Sequence, residues 1–358
     1  MGLPFLKSSV KKRDQIVAID LGNRTTKAVH LQRKGSGFSL VNYAVIETPA
    51  NEKSISADGL AELLKNVSRE LGNPRTKQVT LALGVNETTF RQVELPVMNA
   101  EDMRQMVKFN SKNYLQQDLP DHVFDCFVLP VRELPKPAEP GKPAGGVLKQ
   151  KVAVGGTKKQ ILDDVQAAIK TAGLVPDQVV LGVVGPVNAF EMAEPEAFAK
   201  EVVALVDIGF KYTTITLLDG GELVLNRVVA LGGDRITSSL AEAMGISYSE
   251  AEGIKVGMSQ EIQGNLEAVI NPLGRELRAS LDFFEHQHDK PVSQVFISGG
   301  SARNEHIVVS LQNELMVPCK SWNPTRFLQL ALPPEKMGEI EQIAPQLTVA
   351  VGAAASAF

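Results

Sequence analysis

Two stretches lying far apart in this chain are built alike, and they constrain its fold more than anything else in it. Residues 16–19 are apolar and run into Asp20-Leu21-Gly22. Thr25-Thr26-Lys27 then leads into apolar 28–31, a turn over 33–37 and a further strand pattern over 38–46. In the second copy, 202–206 runs into Asp207-Ile208-Gly209, and a Thr-rich apolar run over 213–218 follows. Asp219-Gly220-Gly221-Glu222 makes its turn, and a strand over 223–231 closes at Gly232-Gly233. Apolar and β-branched runs cut by Asp/Gly clusters predict strands joined by tight turns. Their repetition predicts an internally duplicated architecture.

The chemistry of the repeat follows from its residue types. Glycine lets a backbone approach a ligand, and a tight turn offers N–H groups and Thr hydroxyls to an anion. The aspartate does not suit a phosphate directly, but it can hold a hydrated Mg²⁺ that neutralises one. Two such turns across a cleft would grip the phosphate tail of a nucleotide from both sides.

Helices and further strands fill the intervals. Helical spacing over 56–71, with Ser56 as N-cap and Gly72-Asn73-Pro74 as stop, predicts a helix before a strand at 78–84. From 86 to 184 the order is β-α-β-β-α-β, with a helix from Asn99 to Leu115 and a proline-rich loop over 134–146. A helix is expected over 186–200, then others starting near Gly233 and Tyr248. A long amphipathic helix over 264–286 follows, and a strand over 292–297 ends in Ser298-Gly299-Gly300-Ser301. A helix over 305–315 and a close-packed helix ending the range 343–358 complete the pattern.

Composition narrows the class. The 358 residues are 44% hydrophobic and 22% charged, ordinary for a globular protein, and the length suits two lobes. A net charge of −4 gives no basic surface for nucleic acid. Cys126 and Cys319 stand alone, so reduced thiols and a cytoplasmic setting are expected. No apolar run approaches the roughly 20 residues that span a bilayer, and the N-terminal residues lack the apolar core of a secretory signal. Residues 1–13 form a short tail whose basic residues follow Leu3, Phe5 and Leu6.

No G-x-x-x-x-G-K-[ST], G-x-S-x-G or H-E-x-x-H is present, which excludes the corresponding nucleotide, acyl-transfer and zinc chemistries. Glu252, Lys255 and Ser259 fall on one helical face. Gly299-Gly300 sits between a strand and a helix, a place suited to a ribose or phosphate.

Together these motifs resemble the actin-like ATPase superfamily, in particular its PilM and FtsA branch. The resemblance covers nearly the whole chain. It implies an α/β, two-lobed actin-like ATPase fold of duplicated ribonuclease H-like domains, interrupted by a 1C subdomain of SHS2 type over 86–184. The expected boundaries are a tail at 1–13 and subdomain 1A over 14–85, 185–200 and 345–358. The second lobe, 2A/2B, covers 201–344. Asp20, Gly22, Asn23 and Thr25 match the first phosphate loop, with Lys27 after it. Asp207, Gly209 and Thr213 match the second. Gly232, Gly233, Glu252, Lys255, Ser259, Gly299, Gly300 and Ser301 match the adenosine side. ATP and Mg²⁺ are the implied cofactors, with Asp20 and Asp207 holding the metal through water.

The PilM likeness further implies a scaffold of the type IV pilus inner-membrane assembly platform, at the cytoplasmic face of that membrane. Its implied partners are the N-terminal tail of a PilN-like membrane protein, taken in a 1A/1C groove, and other platform proteins; self-association stays open. An FtsA-like division filament and a small-molecule kinase are the alternatives. The loops depart from the usual pattern at Asn23-Arg24 and at Phe210-Lys211-Tyr212, and Thr214 stands where relatives place Asn or Asp. No Asp or Glu is assigned as a catalytic base, so ATP binding with at most slow hydrolysis is expected.

Overall fold

The architecture comes from a computed structural model that describes residues 13–49, 56–129, 148–257 and 263–358. The sequence begins with three strands, β1 (Gln15–Asp20), β2 (Thr25–Lys34) and β3 (Gly37–Glu47), then α1 (Ala57–Glu70) and β4 (Gln78–Leu83). Next come β5 (Thr88–Pro96), α2 (Ala100–Phe109), α3 (Ser111–Leu115), β6 (His122–Val128), β7 (Lys149–Lys158) and α4 (Lys159–Thr171). Strand β8 (Val175–Leu181) precedes α5 (Gly185–Ala193) and α6 (Pro195–Lys200). The second hairpin pair is β9 (Val202–Ile208), β10 (Thr213–Asp219) and β11 (Glu222–Val229). Helices α7 (Gly233–Met244), α8 (Tyr248–Gly257) and α9 (Gln263–His288) lead to β12 (Gln294–Ser298), α10 (Glu305–Leu315), β13 (Cys319–Ser321) and β14 (Gln329–Leu330). The chain closes with α11 (Pro334–Met337), α12 (Ile340–Ile343) and α13 (Thr348–Ala355).

The duplication inferred from the two Asp-x-Gly turns is written into the sheets. One sheet runs β14-β3-β2-β1-β4-β8 and the other β11-β10-β9-β12-β13. In both, an antiparallel meander gives way to parallel neighbours: β1 pairs with β4, which pairs with β8, as β9 pairs with β12 and β12 with β13. The central strands are buried nearly end to end, as expected when both faces of a parallel region are covered.

The described residues before Asn86 and Gln166–Phe358 make one compact unit, and Asn86–Val165 make a second. The second unit has its own sheet, β5-β7-β6, and its own core of Leu95, Met103, Val107, Leu115, Phe124, Val152 and Val154. Asn99 caps α2 by accepting from the Asp102 amide at 2.9 Å, and Met103 and Val107 are the buried face of that helix.

Several expectations are corrected. The strand placed last in the insert is β8; it pairs in parallel with β4 and belongs to the large sheet, and 182–184 is a 3-10 turn. Its apolar run, Val179-Val180-Leu181, could not reveal which sheet it would join. The helix expected up to Leu115 breaks at Asn110, and that over 186–200 breaks at Glu194, where Pro195 opens a new one. The range 343–358 ends as expected in a helix, α13, but a 3-10 turn over Ala344–Leu347 precedes it. The basic tail to residue 12 and the proline-rich loop lie outside the described residues.

Around the second sheet, α9 presents Ile270, Leu273, Leu277, Leu281 and Phe284 at three- and four-residue intervals to the same core as Ile307, Leu311 and Leu315 of α10. Burying each such side chain contributes roughly 1.5–3 kcal/mol. Helix α13 packs on α5 and on β1, and Ala350, Val351, Ala353 and Ala354 are buried there. A side chain on Gly352 would run into the Gly185 carbonyl, so this helix pair depends on glycine at that position. Phe190 of α5 meets Phe296 of β12 edge-on at 4.6 Å and Trp322 at 5.3 Å. Edge-on ring pairs of this kind add to what burial of their area contributes.

Candidate functional site

The parallel strands of both sheets deliver their C-terminal ends to one cavity of about 390 Å³. Asp20 ends β1, Leu83 ends β4 and Gly84 follows it, Gly182 follows β8, Asp207 lies at the end of β9, and Gly299-Gly300 follow β12. Open α/β sheets characteristically bind ligands at this edge. The size is within the range of small-molecule sites.

The first wall is the β1–β2 turn. Gly22, Asn23 and Thr25 line the cavity, as does Lys27, whose Nζ lies 3.3 Å from Asp20 Oδ2. The pairing is built into the hairpin, since Asp20 and Lys27 are cross-strand partners. A side chain on Gly22 would strike the Thr25 carbonyl. Thr48 pins the turn: its Oγ1 donates to the Gly22 carbonyl at 2.9 Å, and its amide donates to the Arg24 carbonyl at 2.8 Å. Thr48 follows the third strand and has no motif of its own, so sequence reasoning missed it.

The second wall is the β9–β10 turn. Asp207 Oδ1 accepts from Ser298 Oγ at 2.8 Å, and Gly209 also lines the cavity. Burial pushes the Asp207 carboxyl up to about 6, and nearby Asp20 adds to this; the Ser298 hydrogen bond and Lys27 oppose it. Thr213 is not on the cavity. It is fully buried, and its hydroxyl donates to the Leu231 carbonyl at 2.5 Å. Thr214, the cross-strand partner of Asp207, lines the cavity instead. Adjacent strand residues point to opposite faces, so a one-residue choice decides which threonine meets a ligand.

The third wall is α7, α8 and the turn after β12. Gly233, Glu252, Lys255, Gly299, Gly300 and Ser301 line the cavity; Gly232 does not, and Ser259 lies outside the described residues. The Gly232-Gly233 turn serves the protein's own backbone: the Gly233 amide donates to the Gly209 carbonyl at 2.9 Å and the Asp234 amide to the Phe210 carbonyl at 2.8 Å. The start of α7 is thereby locked to the second turn. Gly299 has φ +88°, and a side chain there would strike the Ile208 carbonyl.

Buried Lys255 and half-buried Glu252 pair at 2.7 Å. Lys255 Nζ also donates to Thr237 Oγ1 at 2.7 Å and to the Gly233 carbonyl at 3.1 Å. Burial lowers its pKa, with Glu252 opposing. For Glu252, burial alone would raise the pKa; hydrogen bonds from Lys255 and Thr237 and the charges of Lys255 and Arg24 outweigh it, holding the carboxylate below its usual range.

Arg303, Gln346 and Val349 complete the lining without any sequence signal, because they arrive from turns and helices late in the chain. Among the described residues no cluster of three or more His, Cys, Asp and Glu could hold a metal directly. Two carboxylates on facing turns, with Lys27 beside them, suit a hydrated Mg²⁺ better than a stripped one.

This arrangement is that of the actin-like ATPase fold. Solved structures bear out the class. A PilM–PilN type IV pilus biogenesis complex aligns with TM-score 0.78 and 23% identity, covering 96% of this chain and 98% of that one. The ethanolamine utilization protein EutJ from Carboxydothermus hydrogenoformans aligns at 0.52 and 15%, covering 96% and 90%. MreB5 of Spiroplasma citri bound to AMPPNP aligns at 0.50 and 11%, covering 96% and 95%. Residues 18–358 match the model of the type IV pilus assembly protein PilM, and the chain belongs to that family. Cell division protein FtsA of Bacillus subtilis (strain 168) is 22% identical over 254 residues, 67% of this chain. The match spans only 57% of that protein. No described helix is long and apolar enough to cross a membrane.

Proposed function

We propose that the chain is an ATP-binding scaffold of the type IV pilus assembly platform. It works at the cytoplasmic face of the inner membrane and takes the N-terminal tail of a PilN-like membrane protein. One observation carries the nucleotide reading: Asp20 and Asp207, on two equivalent turns, flank Lys27 at a single cavity. Lys27 would meet a phosphate, the two carboxylates would hold hydrated Mg²⁺, and Thr25 and Thr214 would offer hydroxyls. Glu252 and Ser301 would face the nucleoside. Bound Mg²⁺ would neutralise the phosphate charge that these aspartates otherwise repel.

The role is holding rather than turnover. Three of the four carboxylates that line the cavity are already engaged: Asp20 is paired with Lys27, Asp207 with Ser298, and Glu252 with Lys255 and Arg24. Glu47, the last residue of β3, is the fourth. The test is calorimetry with ATP, with and without Mg²⁺, followed by titration of a peptide copying the partner's tail. Mg²⁺-dependent ATP binding and peptide binding are expected. No heat with ATP would end the nucleotide reading, and no peptide binding in either state would end the scaffold reading.

A further inference from the structure

One side chain at the cavity has no place in that assignment. Arg24 occupies the first turn between Asn23 and Thr25 and lines the cavity with them. Its guanidinium donates to Glu252 Oε1 at 2.7 Å, reaching from the β1–β2 turn to α8. It also lies over the Phe210 ring, 5.3 Å from the centroid, on the β9–β10 turn. A single cation thus joins all three walls. Its side chain is 40% exposed against 18% for Glu252, so the bond lies where the cavity meets solvent.

We propose that Arg24, bonded to Glu252 and lying over Phe210, straps the mouth of the cavity, and that the polyphosphate of an entering nucleotide takes the guanidinium from Glu252. The inference rests on the nucleotide reading above and adds a residue and a response to it. Two anions would compete for one guanidinium. Glu252 offers one charge and is already served by Lys255 and by Thr237 Oγ1 at 2.5 Å, so it keeps partners when Arg24 leaves. A triphosphate offers several charges and oxygens arranged for the planar fork of arginine. Release would therefore leave no orphaned carboxylate, and Arg24 would add to nucleotide affinity from the phosphate side.

The part that would respond is α8. Its core with α7 is small, resting on Leu240 and Ala251 with Ala241, Met244, Ile246 and Ile254 packed against them. An element held by so little buried surface is drawn from the less stable end of a fold. Losing one polar tie to the first turn would be read in its local protection.

The test is a double-mutant cycle on the full chain with Arg24→Ala, Glu252→Gln and both, read by urea unfolding in the empty protein and with saturating Mg-ATP. Arg24→Lys serves as a milder variant should Arg24→Ala fold poorly. Calorimetry on the unmodified chain first establishes that Mg-ATP binds. A coupling of about two- to fivefold in the unfolding equilibrium constant is expected when empty. It should vanish when loaded, while hydrogen exchange across Tyr248–Gly257 quickens in empty Arg24→Ala. If Mg-ATP binds but the coupling is absent when empty, or equal in both states, the strap is wrong and the nucleotide reading stands. If Mg-ATP does not bind at all, both fall.

Discussion

Ser298 Oγ donates a 2.8 Å hydrogen bond to Asp207 Oδ1, joining the ends of two neighbouring parallel strands at the cavity. That bond gives Asp207 a fixed orientation while burial and Asp20 make its charge costly. A carboxylate held charged against its surroundings is ready for a cation.

Asp207→Asn should therefore separate stability from binding. Folded Asp207 takes up its proton near 6 against an ordinary 3.8, so at neutral pH its charge opposes folding. At about 1.4 kcal/mol per pKa unit, the variant should gain on the order of 1–3 kcal/mol when empty. Asp207→Ala and Asp20→Ala should each weaken Mg-ATP about tenfold or more. Urea melts and calorimetry measure the two effects; unchanged nucleotide affinity in both alanine variants would refute the assignment of the turns.

The paired threonines offer a sharper comparison. Thr213→Val should cost about 1 kcal/mol, because the Leu231 carbonyl loses the donor of a part-buried hydrogen bond, and should leave Mg-ATP affinity alone. Thr214→Val should do the reverse, weakening nucleotide with little loss of stability. The opposite pattern in melts and titrations would mean that the strand presents its other face to the ligand.

Lys255→Met removes the donor to Gly233, Thr237 and Glu252 together. Glu252 is only half-buried and keeps other partners, so the loss should fall below that of a fully buried pair, on the order of 2 kcal/mol. Arg24 still serves Glu252, which should keep the variant folded. A melting temperature within a degree or so of the parent would show that the lysine's burial costs as much as its bonds return.

Acid should weaken the fold through His30. Its Nε2 is buried without a hydrogen-bond partner among the described residues, and burial lowers its pKa below the ordinary 6.5. The unfolded chain takes up that proton first, so stability is full above the unfolded pKa and is lost as pH falls through 6.5 toward the folded value. His30→Gln should shrink the difference in urea midpoint between pH 7.5 and 5. An unchanged difference would assign the acid sensitivity to other groups.

Much of the site was legible in the chain because its chemistry is local. A turn such as Asp20-Leu21-Gly22 needs its aspartate and glycine adjacent, and the second copy at Asp207-Ile208-Gly209 repeats the need, so both could be read from neighbours alone. Helix starts such as Ser56 and ends such as Met244 were equally local, being capping and periodicity. What the residue order could not specify was direction and partnership. Whether Thr213 or Thr214 meets the cavity depends on strand register, and whether β8 joins the insert or the large sheet depends on a pairing with β4.

Sequence alone thus determined the duplicated turns, the element types and the candidate ligand groups, since these rest on side-chain chemistry within a few residues. Tertiary structure alone decided that Arg24 reaches Glu252, that Thr48 pins the first turn, and that Gly232-Gly233 serves the second turn's own carbonyls. The last two close turns within one sheet once its strands have paired, whereas the first joins residues far apart in the chain and forms only when both sheets bring their strand ends to one cavity.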